Sequence, residues 1–305
     1  ATIVRGEGMS SPKVTPGTAS TFGGVSDRLY EYGIPAACCA DGPSGIRMES
    51  GLKATQLPIG TLLACSFNIP MMEELYVMEG KELVANEVDT LLGPGINIHR
   101  YPLNGRNFEY FSEDPYVTGC FAAAVTRGIK KGGSFATVKH FAANNQETAR
   151  HTVDSVVSER ALREIYLKGF EIAIKDAQPM SIMTSYNLIN GVHAANCYDT
   201  CTKAARDEWG FAGAIMTDWT TTNVQIQGEC TAAGCMRAGN DMVMPGMEED
   251  HENIRKELKE GTLDIRELKR CIYNTVNIIL QSNQYEEAVS YENQFDGLGE
   301  WMTVK

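Results

Sequence analysis

A short apolar run that ends in an acid and an indole, Gly213-Ala-Ile-Met-Thr-Asp-Trp219, constrains the fold more than any other stretch. The segment before it has a helical pattern, with Asp199 as the predicted N-cap and Gly210 as the predicted stop. A helix, a glycine turn and a buried strand ending in an acid together form one αβ unit of a parallel barrel. In such barrels functional side chains lie at the carboxyl ends of the strands, which makes Asp218 the first candidate for chemistry. The alternative, an Asp that caps the next helix, is equally open for this residue taken alone.

The same alternation of strand-like and helical segments recurs along the chain. The helix predicted from Asn68, for example, carries Met72, Leu75, Met78 and Leu83 on one apolar stripe. Such alternation predicts an α/β fold, a TIM-barrel-like (β/α) barrel of about seven or eight strands. The predicted strands are 34–40, 62–67, 90–92, 134–141, 179–186, 214–217 and 240–244. The predicted domain organisation is an extended lead-in over residues 1–30, one catalytic barrel domain over 31–283 and a polar C-terminal tail over 284–305.

Composition excludes several classes of partner. The chain has 305 residues, enough for a barrel of about 250, and a net charge of −12, which disfavours nucleic acid and anionic membrane surfaces. No apolar run approaches the roughly 18 residues of a membrane-spanning helix. Nine scattered cysteines indicate reduced thiols and a cytoplasmic location. The pairs Cys197/Cys201 and Cys230/Cys235 lack the usual zinc spacing, so neither a metal nor another cofactor is expected.

If the predicted strands close into a barrel, a set of polar side chains meets at one mouth. Cations beside Asp218 would favour its ionised form, as a nucleophile or electrostatic stabiliser requires, and an indole can stack on a sugar ring. Each residue also has a structural alternative, such as an ion pair within a loop or a core tyrosine whose hydroxyl is bonded. The set as a whole nevertheless suits a neutral, hydroxyl-rich ligand. Its members are Asp41, Arg47, Arg106, Lys139, His140, Tyr186, Asp218 and Trp219.

Four long motifs, in this order, resemble those of the glycoside hydrolase family 3 β-glucosidases. They are Asp41-Gly-Pro-Ser-Gly-Ile-Arg47, Gly105-Arg-Asn-Phe-Glu-Tyr-Phe-Ser-Glu-Asp114, Lys139-His-Phe-Ala-Ala-Asn-Asn-Gln-Glu147 and Met216-Thr-Asp-Trp219. The likeness extends from about residue 2 to about residue 283. The 142–146 segment, Ala-Ala-Asn-Asn-Gln, differs from the corresponding stretch of the family's N-acetylglucosaminidase branch, which favours the glucosidase branch.

The resemblance implies a retaining double displacement on a terminal β-D-glucosyl residue, as in a β-glucoside or cello-oligosaccharide, with Asp218 as the nucleophile. It also implies a set of residues that bind the sugar of subsite −1 or line it. These are Asp41, Arg47, Arg106, Lys139, His140, Met183, Tyr186 and Trp219.

In members of this family an α/β sandwich domain supplies the acid/base glutamate. The opening Val4-Arg-Gly-Glu-Gly-Met-Ser-Ser-Pro-Lys13 is similar to the stretch at which domain-permuted members pass from sandwich to barrel. We therefore expect a barrel portion whose acid/base lies in a second domain, on another chain or removed. Glu109 and Glu147 are the weaker candidates within the sequence, and a homo-oligomer is left open.

Three other functions are compatible with parts of this sequence. A β-xylosidase or another exo-glycosidase of the same family would share the motifs. A Schiff-base lyase would use Lys139 as its amine. A non-catalytic sugar-binding barrel would keep the binding residues and lack turnover.

Overall fold

In the computed structural model, the described residues are 2–6, 15, 18–23, 26–48, 53–223 and 230–282. The predicted tail 284–305 and part of the predicted lead-in therefore lie outside the described residues.

Seven strands form one sheet that curves into a nearly closed barrel. The described part of the chain has ten strands: β1 (Ser20–Phe22), β2 (Ala37–Asp41), β3 (Thr90–Leu92), β4 (Phe135–Phe141), β5 (Asp154–Ser155), β6 (Ser181–Thr184), β7 (Leu188–Ile189), β8 (Val192–His193), β9 (Ala214–Trp219) and β10 (Met242–Met244). The large sheet has the order β1-β2-β3-β4-β6-β9-β10. Its pairs are parallel except for the antiparallel pair β1–β2. The fold prediction is confirmed.

Helices cover the outside of this sheet, as expected for βαβ connections. The α-helices are α1 (Asp27–Glu31), α2 (Gly60–Ala64), α3 (Ile69–Ala85), α4 (Pro115–Gly132), α5 (Glu159–Ala161), α6 (Lys168–Ala177), α7 (Ala232–Ala238), α8 (Glu248–Glu260) and α9 (Ile265–Gln281). Two π-helical segments, Leu162–Tyr166 and Asp199–Glu208, complete the outer layer together with short 3₁₀ turns. As predicted, Asn68 caps α3, since its side chain accepts a hydrogen bond from the Met71 N–H.

Arg5 and Gly6 extend the sheet at its β10 edge. The Gly6 N–H donates to the Val243 carbonyl of β10 at 2.9 Å, and Arg5 bridges to the same residue in parallel. Strand β1, which lies within the predicted lead-in, pairs with β2. Both additions come from the first 22 residues, so this segment contributes to the barrel wall.

Three details of the sequence prediction are wrong. The 62–67 segment is not a strand: Gly60–Ala64 is helix α2, with Leu62 exposed and Leu63 buried. The run is rich in Leu and Ala, which favour helix, and has no β-branched residue. Asp199 lies in the first turn of the π-helix rather than at its N-cap, which is Tyr198. Met78 faces solvent, whereas Met72 and Leu83 are buried as predicted.

A small second sheet was missed entirely. Strands β5, β7 and β8 form a three-stranded sheet beside the barrel, and β7 and β8 are joined by Asn190-Gly191. Both of these residues have positive φ, 49° and 84°. Asn-Gly is the strongest short signal for a two-residue hairpin, so the sequence itself indicates this turn.

Candidate active site

One cavity of about 650 Å³ lies at the carboxyl ends of the barrel strands. All nine residues predicted for the site line it: Asp41, Arg47, Arg106, Lys139, His140, Met183, Tyr186, Asp218 and Trp219. The volume is within the usual range for a small-molecule site. Parallel strands bring their carboxyl ends to one edge, which is why residues from β2, β4, β6 and β9 meet there.

Asp218 lies near the end of β9, with its side chain almost fully buried. Its Oδ1 accepts a hydrogen bond from the Trp219 N–H at 2.6 Å, and the Tyr186 hydroxyl also donates to the carboxylate. Burial raises the pKa of Asp218 above the ordinary 3.8, although the Trp219 N–H, Lys139, Arg106 and Tyr186 all act to lower it. Lys139 and Arg106 are among the cations that the sequence predicts to favour the ionised form, but desolvation outweighs them together with the two hydrogen-bond donors.

His140 is a neutral hydrogen-bonding group. Burial, followed by Arg106, Lys139 and Arg150, lowers its pKa well below 6.5. Asn97 holds it from two sides: Asn97 Nδ2 donates to the His140 carbonyl, and Asn97 Oδ1 accepts from the His140 backbone N–H, both at 2.9 Å.

The same Asn97 Oδ1 lies 3.2 Å from His140 Nδ1, which assigns the ring proton to Nδ1. The other ring nitrogen, Nε2, is then an acceptor and lies 3.8 Å from Asp218 Oδ2. Two acceptors side by side call for a donor between them, and a ligand hydroxyl is such a donor.

Lys139 on β4 and Asp41 at the end of β2 form an ion pair that lines the cavity. Lys139 Nζ lies 2.6 Å from Asp41 Oδ1, with the lysine side chain 4% exposed. Burial acts to raise the pKa of Asp41, but Lys139 and the Gly42 N–H outweigh it and the pKa is lowered. Asp41 is therefore held ionised, as an acceptor of ligand hydroxyls.

Two further ion pairs lie at or beside the cavity. Arg106 Nε is hydrogen-bonded to Glu109, and both residues line the cavity. Glu147 accepts from Arg150 Nη1 at 2.9 Å and is not among the residues lining the cavity. Arg47 reaches the cavity from an exposed position on the loop after β2.

Sequence reasoning missed Arg150 and His151. The Arg150 guanidinium lies 4.6 Å from the centre of the Tyr186 ring, and the His151 ring packs edge-on against the same tyrosine at 4.3 Å. Together they hold the tyrosine whose hydroxyl meets Asp218. The only sequence signal for them is their position a few residues after the Lys139–Glu147 motif, which does not indicate their contacts.

The loop from Asp41 to Arg47, called here the 41–47 loop, is closed at its neck by the Arg47 N–H, which donates to the Asp41 carbonyl at 2.8 Å. Gly45 has φ +107°, and a Cβ there would lie 2.2 Å from the Thr55 carbonyl oxygen. The position therefore requires glycine.

Gly45→Ala is expected to lower the free energy of unfolding by about 1–3 kcal/mol, because the methyl group adds backbone strain and a backbone clash. Gly261→Ala is the matched control: Gly261 also has positive φ, +76°, but has nothing within 4 Å of its virtual Cβ. Thermal unfolding of both variants tests this. Equal losses of stability in the two variants would contradict it.

Within the described residues, no group of three or more His, Cys, Asp or Glu side chains is placed to hold a metal ion. All nine cysteines are unpaired thiols. No helix in the described part of the chain combines the length and apolarity needed to cross a bilayer.

The fold and this cavity define a (β/α)-barrel domain of the enzyme type, with charged residues gathered at the carboxyl ends of its strands. The family model for the glycosyl hydrolase family 3 N-terminal domain matches residues 18–277. The chain belongs to glycosyl hydrolase family 3.

Individual relatives agree with this assignment. The chain is 52% identical over 287 residues to a β-glucosidase of Ruminococcus albus, covering 92% of this chain and 30% of that protein. It is 37% identical over 276 residues to an exo-α-(1→6)-L-arabinopyranosidase of Bifidobacterium longum, covering 87% and 35%. The chain thus spans about a third of the length of these relatives.

Solved structures of this family have the same fold. A β-glucosidase from Paenibacillus barengoltzii superposes with a TM-score of 0.87 at 62% identity, covering 93% of this chain and 32% of that one. β-Glucosidase 3B from Thermotoga neapolitana, in complex with α-D-glucose, superposes with a TM-score of 0.85 at 38% identity, covering 93% and 41%.

Proposed function

We propose that this barrel carries the nucleophile and sugar subsite of a retaining, exo-acting β-glucosidase that hydrolyses terminal β-D-glucosyl residues. The observation that carries the proposal is the Asp218 carboxylate, buried in the cavity and contacted by Tyr186 and the Trp219 N–H. In a retaining mechanism this carboxylate attacks the anomeric carbon and forms a covalent glycosyl ester, which water then hydrolyses.

The surrounding groups supply what that step requires. Ionised Asp41 and neutral His140 accept hydrogen bonds from sugar hydroxyls, while Lys139, Arg106 and Arg47 donate. Trp219 and Met183 provide apolar surface for the pyranose. Tyr186 remains protonated, because burial and Asp218 both raise the pKa of its hydroxyl, so it donates to the nucleophile.

We propose that the acid/base glutamate comes from outside the described residues, from an α/β sandwich domain on the same or another chain. The other two carboxylates lining the cavity, Asp41 and Glu109, are each ion-paired with a cation. A carboxylate so paired is poorly placed to donate a proton. The greater length of the relatives agrees with a further domain. The division into lead-in (1–30), barrel (31–283) and tail (284–305) is part of the same proposal, with β1 already contributing to the sheet.

Labelling with 2,4-dinitrophenyl 2-deoxy-2-fluoro-β-D-glucoside tests the proposal. This leaving group departs with little acid assistance, so the first step does not require the acid/base residue. Peptide mass spectrometry is expected to find a fluoroglucosyl ester on Asp218 and none on Asp218→Asn. Glucose binding without any label, even with a sandwich domain added, would favour the non-catalytic sugar-binding barrel.

A second candidate is exo-hydrolysis of a pentopyranoside, either xyloside or arabinopyranoside. The observation that favours it is the 37% identity to enzymes named arabinopyranosidases. Comparing kcat/KM for the 4-nitrophenyl β-glucoside, β-xyloside and α-L-arabinopyranoside distinguishes the two. A Schiff-base lyase is disfavoured, because Lys139 is tied to Asp41 in an ion pair rather than available as a free amine.

The acid limb of the pH–activity profile tests the state of the nucleophile. Asp218 must be ionised to attack, and its pKa is raised, so kcat/KM is expected to fall as pH drops through a midpoint above 3.8. Tyr186→Phe removes a donor that favours the ionised form. The variant's limb should therefore move to higher pH, with a loss of about tenfold in kcat/KM at its optimum. An acid limb that stays in place would show that the Tyr186 hydroxyl does not act on Asp218.

A further inference from the structure

Helix α3 is hydrogen-bonded to the 41–47 loop and to the segment that follows it. The Tyr76 hydroxyl donates to the Pro43 carbonyl at 2.8 Å. Two turns further on, Glu82 Oε1 accepts from the Thr55 N–H at 2.8 Å and from Thr55 Oγ1 at 3.0 Å. The Leu57 N–H, close to Thr55 in sequence, donates to the Ser44 carbonyl at 2.9 Å and so ties the 53–59 segment to the same loop.

Glu79 lies midway between these two supports, three residues from each, so its side chain is a neighbour of both on the helix surface. Its side chain is almost completely buried, 2% exposed. Neither carboxyl oxygen makes a full hydrogen bond to any of the described residues. The Gly45 N–H acts to lower the pKa of Glu79, but it already donates to the Gly42 carbonyl at 3.2 Å.

The surroundings of Glu79 favour its neutral form. Burial raises its pKa to about 8, and the negative charge of Glu82 acts in the same direction. On α4, Arg127 and Lys131 are both paired with Glu73, two turns before Glu79. From the loop side, the described charged groups are Asp41, Arg47 and Lys53. Asp41 is paired with Lys139, and Arg47 and Lys53 lie in exposed positions.

We propose that Glu79 is a positioning residue for sugar binding: as a neutral acid it lets the 41–47 loop rest on α3, and when ionised it loosens that loop and displaces Asp41. This inference rests on the proposed function of the cavity as a sugar subsite. The physical reason is that a buried carboxylate without a partner must acquire donors or water, and the loop is the part of its surroundings that can move to admit them.

The protonation state of Glu79 sets the direction of the expected pH dependence. Glu79 is protonated in the folded protein below about pH 8 and ionised above it. The loop is therefore held at neutral pH and loosened as pH rises through about 8. Because the unfolded-state pKa is near 4.5, the contribution of Glu79 to fold stability is fully present below that pH, is lost as pH rises from there to about 8, and does not change further above it.

Glucose titrations of the wild type, Glu79→Gln and Glu74→Gln between pH 7 and pH 9 test the proposal. Glu74 is an exposed residue of the same helix and serves as the matched control. The wild type and Glu74→Gln should lose about tenfold in affinity over this range if the ionised form does not bind. Glu79→Gln, which is neutral at every pH, should retain its affinity. An equal loss in Glu79→Gln would overturn the proposal.

A second measurement does not depend on sugar binding. Deuterium exchange of peptides covering the 41–47 loop, corrected for the intrinsic effect of pH, should accelerate above pH 8 in the wild type and stay constant in Glu79→Gln. Failure to bind glucose at any pH, with this exchange difference present, would count against the proposed function and leave the positioning role supported. Unchanged exchange in both proteins would overturn the positioning role.

Discussion

Replacing Asp218 by Asn is expected to lower kcat/KM for aryl β-glucosides by about 10⁴-fold or more, the scale of loss seen when a nucleophile is removed. Asn has the same shape but cannot form the glycosyl ester. Because the carboxylate is buried and already partly desolvated, the variant should fold and bind glucose within about threefold of the wild type. Steady-state kinetics and calorimetry on the same preparations measure the two effects.

Asp207→Asn is the matched control, since Asp207 is exposed on the outer π-helical segment. It should retain full activity. The assignment of the nucleophile would fail if Asp218→Asn retained more than about a hundredth of wild-type kcat/KM. Addition of azide to Asp218→Ala, with an activated glucoside, should restore turnover and give the α-glucosyl azide, because the small anion can occupy the space of the missing carboxylate.

The second large effect concerns the Lys139–Asp41 pair. Asp41→Asn leaves the Lys139 ammonium buried without its countercharge, at a cost of about 3–5 kcal/mol in the free energy of unfolding. A loss of this size lowers the melting temperature by roughly 6–20 °C in a domain of this size. If the cavity binds sugar as proposed, the same change also removes an acceptor of sugar hydroxyls, so glucose affinity should fall as well.

The double variant Asp41→Asn/Lys139→Met separates these effects. Removing both members takes away the uncompensated charge, so stability should recover in part while glucose affinity stays low. Thermal unfolding and titration with glucose give the two readouts. Identical stability of the single and double variants would show that the ion pair is not what makes Asp41 structurally important.

The nine residues predicted for the site line one cavity, whereas the elements around them were predicted less completely. Six of the seven predicted strands are present, because buried parallel strands read as continuous apolar runs bounded by turn residues. The 62–67 run has the same apolar character, but its leucine- and alanine-rich composition favours helix, and helix α2 buries Leu63 while it exposes Leu62. Strand β1 was missed because three residues of mixed polarity carry too little periodicity.

The electrostatic balance at Asp218 could not be predicted from the sequence. The sequence indicates the cations that lower the pKa of Asp218. The depth of burial raises that pKa by more, and it depends on how residues far apart in the chain pack together. The same holds for Glu79, whose neighbours include a loop about 35 residues earlier. The roles of Arg150 and His151 depend on the path of the loop after β4, which carries no regular pattern.

The pairing of Arg5 and Gly6 with Val243 has a consequence for synthesis on the ribosome. Val243 follows Arg5 by 238 positions, so Arg5 and Gly6 remain without this partner until β10 has been made. At about 5–20 residues per second this interval is on the order of 10–50 s. During it, the edges of the growing sheet are open to pairing with other nascent chains. The nascent barrel is therefore the form most in need of a chaperone, and the rate of translation sets how long that need lasts.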